Sequence, residues 1–131
     1  MKNWKILLSV FLAVALCLSM MAIACAADTA DSGVIPSSSL TWTLDQNGCL
    51  TVSGTGAAPT FSSKEDQPWA SCRASVTEVW FDSPSHICIP DLAYWFDGCS
   101  ALVVAEIPAG VERIGTRAFA DCPRLATVAL H

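Results

Sequence analysis

The sequence predicts a mainly β protein with short helical turns, in which an N-terminal β-hairpin cap precedes a short solenoid of stacked coils. Two observations predict this fold class. Two short alternating apolar runs surround an Asn-Gly turn at residues 47–48, and an aromatic-x-x-Cys motif recurs three times from Trp69 onward. The first pattern is typical of a hairpin and the second of a repeat protein.

Residues 1–27 are predicted to be a secretory signal peptide. Two lysines within the first five residues precede an apolar stretch over residues 6–24, which ends in small residues. A basic start, an apolar helix and small side chains at its end are the features that the export machinery and the signal peptidase recognise. We expect cleavage after Ala26 or Ala27, which would place the mature chain outside the cytoplasm.

Two other interpretations of this N-terminal segment stay open. The apolar run of about 19 residues is long enough to span a bilayer without being cleaved. Alternatively, Ala22-Ile23-Ala24-Cys25 resembles a bacterial lipobox in which Cys25 would carry the lipid, although alanine stands at position 22 where leucine is usual. Either alternative would tether the protein to a membrane.

The chain beyond residue 27 is acidic. It keeps all 12 acidic residues but only five basic ones, for a net charge of about −7. Such a surface repels phosphate backbones and anionic lipids, so we expect neither nucleic-acid binding nor membrane insertion after signal cleavage. The roughly 104 residues that remain suffice for one small domain.

The first part of the mature chain divides into a lead-in and a cap. Residues 28–39 are small and polar, which predicts a flexible lead-in. The β-hairpin cap and a following loop are predicted over residues 40–67, because alternating runs on both sides of Asn-Gly are a strong hairpin signal. The positions expected on the buried face of the hairpin are Leu40, Trp42, Leu44, Leu50 and Val52.

Residues 68–131 are predicted to form about three coils of a solenoid. In each coil, the aromatic-x-x-Cys segment suits one helical turn, and an aliphatic-x-x-aliphatic-x-apolar segment that suits a strand follows it. The aromatic residues are 27 and then 23 residues apart, and such a period is typical of leucine-rich repeats. We therefore expect a stacked ladder, made of Trp69, Cys72, Phe96, Cys99, Phe119 and Cys122.

Three segments of the chain carry a family resemblance. They are residues 40–56, Pro68-Trp69, and residues 107–122, which read Ile-Pro-x-x-Val-x-x-Ile-Gly-x-x-Ala-Phe-x-x-Cys. Together they resemble the N-terminus of a BspA-like bacterial surface protein with leucine-rich repeats, over roughly residues 38–130. The resemblance implies a curved solenoid displayed outside a bacterial cell and associated with adhesion and protein binding, without catalytic residues.

The chain departs from the family pattern in three respects. Cys49 stands where the family usually has threonine, and Trp95 stands where it has alanine. The repeats also number about three, where relatives commonly have many more. We therefore expect local differences in packing, and a solenoid that is incomplete at its C-terminus.

No residue pattern predicts catalysis, a cofactor or a metal site. His86-Ile87-Cys88 is the only place where histidine and cysteine meet. This pair lacks the further ligands that zinc needs and the third residue that an activated nucleophile needs. The chain is therefore predicted not to be an enzyme.

The cysteines of the repeat have a structural interpretation. Cys72, Cys99 and Cys122 share one column and are expected to be buried free thiols that act as small apolar side chains. A disulfide within this ladder stays open, as does a pairing of Cys49 with Cys72 or Cys88. The odd number of five cysteines beyond residue 27 argues against a complete disulfide framework.

The outward positions of the strands form the candidate partner-binding surface, because solenoids bind through such surfaces. Trp80 is an unusual residue there, and exposed aromatic residues can anchor partners. The alternative that the hairpin or an insertion covers Trp80 stays open. Strand alternation gives two outward columns, the first with Glu78, Val104 and Thr127 and the second with Trp80, Glu106 and Ala129.

The predicted function is a secreted or cell-surface module of a bacterium that binds a protein ligand or acts in adhesion. Two alternatives are an accessory N-terminal module of a larger secreted enzyme and a truncated fragment without independent function. The chain stops within the last expected strand with no polar cap, and an uncapped coil exposes its apolar interior and an open edge. We therefore expect self-association through the C-terminal coil or marginal stability.

Overall fold

The computed structural model describes residues 29–82 and 86–131, so the predicted signal peptide lies outside the described residues. The helices within the described part of the chain are short, and none is long and apolar enough to cross a membrane. The elements in chain order are β1 (Thr29–Val34), β2 (Thr41–Asp45), β3 (Cys49–Ser53), β4 (Gly56–Ala57), the 3₁₀ helices η1 (Lys64–Asp66) and η2 (Ala70–Ser75), β5 (Glu78–Phe81), β6 (Ile87–Cys88), β7 (Val104–Ile107) and β8 (Thr127–Leu130).

Six of the strands form one sheet in the order β1-β2-β3-β5-β7-β8. The first three pair antiparallel, whereas β3, β5, β7 and β8 pair parallel. The change follows from the connections, because a tight hairpin joins β2 to β3 while a full coil leads to each later strand. This arrangement confirms the predicted fold class, a hairpin cap followed by repeated coils.

The hairpin forms where the sequence predicts it. Its turn is stabilised by the Asp45 carboxylate, whose Oδ1 accepts hydrogen bonds from the amides of Asn47 (2.8 Å) and Cys49 (2.9 Å). Gly48 has a φ of +88°, and a Cβ there would lie 2.5 Å from the carbonyl oxygen of Ser75. The predicted buried face is confirmed, since none of its members is more than 4% exposed: Leu40, Trp42, Leu44, Leu50 and Val52.

The predicted flexible lead-in differs from the structure. Residues Thr29–Val34 form the edge strand β1, which pairs with β2 so that Val34 lies opposite Thr41. The polar composition is misleading here because an edge strand can be held by backbone hydrogen bonds to an existing strand, without burying its own side chains. Gly33 permits the close approach, since a Cβ there would lie 2.9 Å from the indole nitrogen of Trp42.

The aromatic residues of the expected ladder stack in the core. The rings of Trp69 and Phe96 are 6.2 Å apart and nearly parallel at 16°, and those of Phe96 and Phe119 are 5.5 Å apart at 25°. The first two aromatic-x-x-Cys segments each make one turn closed by an i to i+3 hydrogen bond, from the amide of Cys72 to the carbonyl of Trp69 (3.0 Å) and from the amide of Cys99 to the carbonyl of Phe96 (3.2 Å). The turns therefore repeat with the period that the sequence shows.

Trp95 explains one departure from the family pattern. Its side chain is fully buried and stacks on Phe61, which comes from the loop after the cap, with ring centroids 5.3 Å apart. The Trp95 carbonyl also accepts a hydrogen bond from the indole nitrogen of Trp69 (3.0 Å). The large side chain thus fills the space between the loop and the first coils.

Shorter pairings hold the opposite wall of the solenoid. β4 pairs parallel with β6, and an isolated parallel bridge joins Ile89 to Val111. Gly110 is required at this wall, because a Cβ there would lie 1.9 Å from the carbonyl oxygen of Ile87. Successive coils therefore lie close enough together for their backbone groups to pair on both walls of the solenoid.

Candidate functional site

The register of the parallel strands places the predicted outward residues in columns. Glu78 lies opposite Val104, and Val104 lies opposite Thr127. On the hairpin side, Thr51 lies opposite Trp80. We call the outward residues of β3, β5, β7 and β8 the strand face, and its members are Cys49, Thr51, Glu78, Trp80, Val104, Glu106, Thr127 and Ala129.

Trp80 lies on the strand face and is half-buried. Its indole nitrogen donates a hydrogen bond to Oε2 of Glu78, at 3.0 Å. The hydrogen bond restrains the ring and orients the Glu78 carboxylate at the same time. Trp80 is therefore neither fully buried nor fully exposed.

The second predicted column is interrupted between Trp80 and Glu106. The register between β5 and β7 covers only the pairs Glu78 with Val104 and Val79 with Ala105. Beyond them, the end of β5 stays with β3, where the amide of Asp82 donates to the carbonyl of Val52 (2.8 Å). The end of β7 remains paired with β8 up to the pair Ile107 with Leu130. The sheet therefore separates between the ends of β5 and β7.

A proline follows this gap and prevents the pairing from resuming. The Thr77 carbonyl accepts a hydrogen bond from the amide of Val104, at 3.4 Å. If β5 and β7 continued to pair in the same register, each further hydrogen bond of this kind would lie two residues along both strands. The carbonyl of Phe81 would then face the backbone nitrogen of residue 108. Pro108 has no N–H to donate, so the ladder cannot continue there.

The gap forms a groove of about 240 Å³ on the strand face. It is lined by Trp80 and Phe81 on one side and by Glu106, Pro108 and His131 on the other. The Nε2 atom of His131 lies 2.5 Å from Oε2 of Glu106. An aromatic ring, a carboxylate and an imidazole therefore border one cleft.

The charged residues of the strand face are both acidic. Glu78 and Glu106 are its charged members, and both are half-buried. The basic residues in the described part of the chain all lie outside the strands, in the 3₁₀ helices or the loops: Lys64, Arg73, Arg113, Arg117 and Arg124. Val104 and Thr127 extend the face away from the groove and add no charge.

The groove also contains residues that the sequence does not single out. By pattern alone, Phe81 is a core position, Pro108 a loop residue and His131 the chain end. The proline directly after a strand was the available signal, because a proline cannot donate a backbone hydrogen bond to a neighbouring strand. His131 could not have been placed, since its contact with Glu106 depends on the strand register.

The ladder cysteines have thiols of low reactivity. Cys72, Cys88, Cys99 and Cys122 are free thiols. Burial raises the pKa of Cys99 to about 12, and burial is also the first cause that raises the pKa of Cys72 and of Cys122. Because the thiolate is the reactive form, the three ladder thiols are poor nucleophiles at neutral pH.

Cys49 is disulfide-bonded. The pairing of Cys49 with Cys72 or Cys88, which the sequence left open, does not occur because both of those thiols are free. Within residues 29–82 and 86–131, no group of three or more histidine, cysteine or acidic side chains is placed to hold a metal ion.

No protein-family model matches the chain, and no curated protein matches it. Among solved structures, it is similar to a leucine-rich repeat protein from Eubacterium ventriosum ATCC 27560, with a TM-score of 0.63 and 29% sequence identity. The match covers 76% of this chain and 26% of that protein, so the chain matches about a quarter of its length. The strand order, the repeated turns and this likeness together show that the chain has the fold of a bacterial leucine-rich repeat protein.

Proposed function

We propose that this chain is a protein-binding module of a secreted or surface-displayed bacterial protein of the BspA-like type, that it acts in adhesion, and that it carries no catalytic activity. The observation that carries the proposal is the strand face, on which an aromatic groove lies among aligned outward residues. Leucine-rich repeat folds offer such surfaces to protein partners.

The composition of the strand face supports a protein partner. A half-buried tryptophan beside a groove is the kind of side chain that carries much of the binding energy at protein interfaces. The two carboxylates of the strand face would repel phosphate groups, which argues against nucleic acid. The groove, of about 240 Å³, is also smaller than the pockets that usually bind small molecules.

A random peptide library displayed on phage tests the binding function even while the natural partner is unidentified. The mature chain is immobilised, and the selected peptides are then measured against two variants. The first is the double variant Glu78→Ala with Trp80→Ala on the strand face. The second is Glu65→Ala, which changes an exposed acidic residue of η1 and serves as the matched control.

We expect the selected peptides to lose at least about tenfold in affinity for the strand-face variant and to bind the control variant normally, because one anchoring aromatic residue can contribute about 2 kcal/mol or more. Circular dichroism would show that both variants are folded. Peptides that bind all three proteins equally, or a selection that enriches nothing, would contradict the proposed function.

The proposed location outside the cell rests on the sequence of residues 1–27. Expression of the full chain in a bacterium, followed by intact-mass measurement of the protein in the medium, tests it. A mass that corresponds to a chain beginning near Asp28 supports secretion. A lipid-sized increment on Cys25, or a full-length chain in the membrane fraction, would replace secretion by tethering.

A further inference from the structure

We propose that the groove beside Trp80 receives a positively charged side chain of the partner, an arginine or a lysine. This inference rests on the proposed function, because it names the chemistry by which the strand face recognises a protein. The partner is therefore expected to present a basic residue from a loop or an extended segment.

The shape of the groove favours a single long side chain. The sheet parts only beyond Val79 and Ala105, so the cleft is closed at one end by paired strands. Its volume of about 240 Å³ exceeds that of one side chain but is too small for a folded element. Phe81 and Pro108 supply apolar walls, along which the aliphatic stem of arginine or lysine can pack.

The aromatic residue of the groove favours a cation. Tryptophan is the side chain whose ring attracts arginine and lysine most strongly. The hydrogen bond from the indole of Trp80 to Glu78 restrains the ring and keeps a carboxylate next to it. A cation that contacts the indole would therefore also interact with the negative charge of Glu78.

The second carboxylate already has a nitrogen partner from the protein itself. His131 Nε2 contacts Oε2 of Glu106, although the imidazole is 62% exposed and lies on the rim of the groove. The contact shows that a nitrogen donor can reach Glu106 from the solvent side. A guanidinium or ammonium group could take its place, because an imidazole that is so exposed can turn into the solvent.

The surroundings of the groove add no competing positive charge from the strands. Glu78 and Glu106 are the charged members of the strand face among the described residues, and the lysine and arginines described lie in the helices and loops. The whole chain has a formal net charge of −5. A neutral partner would not complement the negative charge of Glu78, whereas a basic side chain would.

Nuclear magnetic resonance of the mature, ¹⁵N-labelled chain tests the inference directly. The signal to follow is the indole N–H of Trp80, assigned with the Trp80→Phe variant. The probes are N-acetyl-arginine amide and N-acetyl-citrulline amide, which has nearly the same shape but no charge. Trp42, Trp69 and Trp95 are at most 4% exposed, and their indole signals serve as internal references.

We expect the arginine probe to shift the Trp80 signal in a saturable way and to bind at least about fivefold more tightly than the citrulline probe, in line with the usual strength of a cation and ring contact. Added salt should weaken the arginine binding only. Equal shifts with both probes, or saturation by a neutral sugar such as methyl glucoside, would overturn the inference.

The double variant Glu78→Gln with Glu106→Gln tests the carboxylates. Both glutamines keep the shape, and an amide oxygen at position 78 can still accept the indole hydrogen bond. The arginine affinity should fall about fivefold, while the citrulline shift stays the same. Glu65→Gln should change neither, and an unchanged arginine affinity in the double variant would contradict the role of the carboxylates.

The two proposals can fail separately. If peptides from the phage library bind through the strand face but are not enriched in arginine and lysine, the proposed function stands and the inference about the basic side chain is wrong. If the library yields no peptide that depends on the strand face, the proposed function itself is wrong. Peptides rich in basic residues that lose affinity for the Gln variant would support both.

Discussion

The second coil, from Phe96 to Ile107, and the third coil, from Phe119 to Leu130, carry the same motif but are buried to different extents. In the second coil, the inward residues Phe96, Cys99, Leu102 and Ala105 are all inaccessible to solvent. Their counterparts in the third coil are half-buried or exposed, with Val128 at 38% and Leu130 at 64%, while Phe119, Cys122 and Leu125 are half-buried.

The difference in burial comes from the neighbouring coils, because the two coils have the same sequence motif. The second coil lies between two others, so both of its flat sides are covered. β8 of the third coil is the last strand in the order of the sheet and has a partner on one side only. The motif therefore determines which side chains point inward, and the adjacent coil determines how much water they lose.

The largest expected effect is the loss of a ladder ring between covered coils. We expect Phe96→Ala to lower the free energy of unfolding by about 3–5 kcal/mol, because it removes a fully buried ring and leaves a cavity. Phe119→Ala is the matched variant and should cost less than half as much, since its ring is half-buried. Denaturant unfolding followed by circular dichroism measures both, and equal losses would contradict the comparison.

A backbone contact on the opposite wall of the solenoid should have the next largest effect. Gly110→Ala would place a Cβ 1.9 Å from the carbonyl oxygen of Ile87, so the backbone must shift, and we expect a loss of about 1–3 kcal/mol. In Gly115→Ala, the new Cβ meets the side chain of Asp91 at 2.2 Å, and that side chain can move more easily. Denaturant unfolding compares the two, and a greater loss for Gly115→Ala would show that the wall at Gly110 is loosely packed.

The ladder thiols give a pH-dependent test of the same comparison. The fully buried Cys99 should react with iodoacetamide at least about tenfold more slowly than the half-buried Cys122 at pH 8, because it keeps its proton up to a pKa of about 12. Peptide mapping by mass spectrometry measures both rates. If the two thiols reacted at the same rate, the third coil would be as well covered as the second.

The raised pKa of Cys99 also affects the stability of the fold at high pH. In the unfolded chain Cys99 loses its proton near the ordinary thiol pKa of 9.0, whereas in the folded chain the pKa is about 12. The folded state therefore binds more protons between these values, so the free energy of unfolding should fall as the pH rises from about 9 to about 12. The variant Cys99→Ala should show a weaker dependence in this range.

The smallest expected effect on stability is a change at the exposed end of the sheet. Leu130→Lys should alter the free energy of unfolding by less than about 0.5 kcal/mol, because the side chain is 64% exposed. It should nevertheless abolish concentration-dependent self-association, which we expect through the apolar surface and free edge of β8. Analytical ultracentrifugation measures this.

Val34→Lys is the matched control for this experiment. Val34 is 62% exposed and lies in β1, at the opposite edge of the same sheet. The control variant should associate as the unchanged chain does. A chain that is monomeric in all three forms would show that the exposed end of β8 does not drive association.

Several features of the fold could be predicted from the sequence because they depend on local geometry. Alternation placed Trp42 and Leu50 on the buried face, and the repeat period placed Trp69 over Phe96. The outward columns followed from the same alternation. These predictions needed only the two-residue period of a strand and the single turn of each aromatic-x-x-Cys segment.

The remaining features depend on residues that are distant in the sequence. β1 forms because β2 offers an edge to polar residues that would not bury themselves, so composition alone gave the wrong structure for Thr29–Val34. Trp95 is buried because Phe61, from a different loop, stacks on it. The candidate site was only half predicted, since Trp80 and Glu106 were selected but the groove between them was not.

The sequence by itself determined which side chains point into the solenoid, where the hairpin turns and how often the coils repeat, because each of these follows from the backbone geometry of a few consecutive residues. The tertiary structure decided which inward residues are inaccessible to solvent and where the pairing between strands ends. The groove lies where the pairing of β5 with β7 ends after Val79 and Ala105, and no local pattern in either strand shows where that pairing ends.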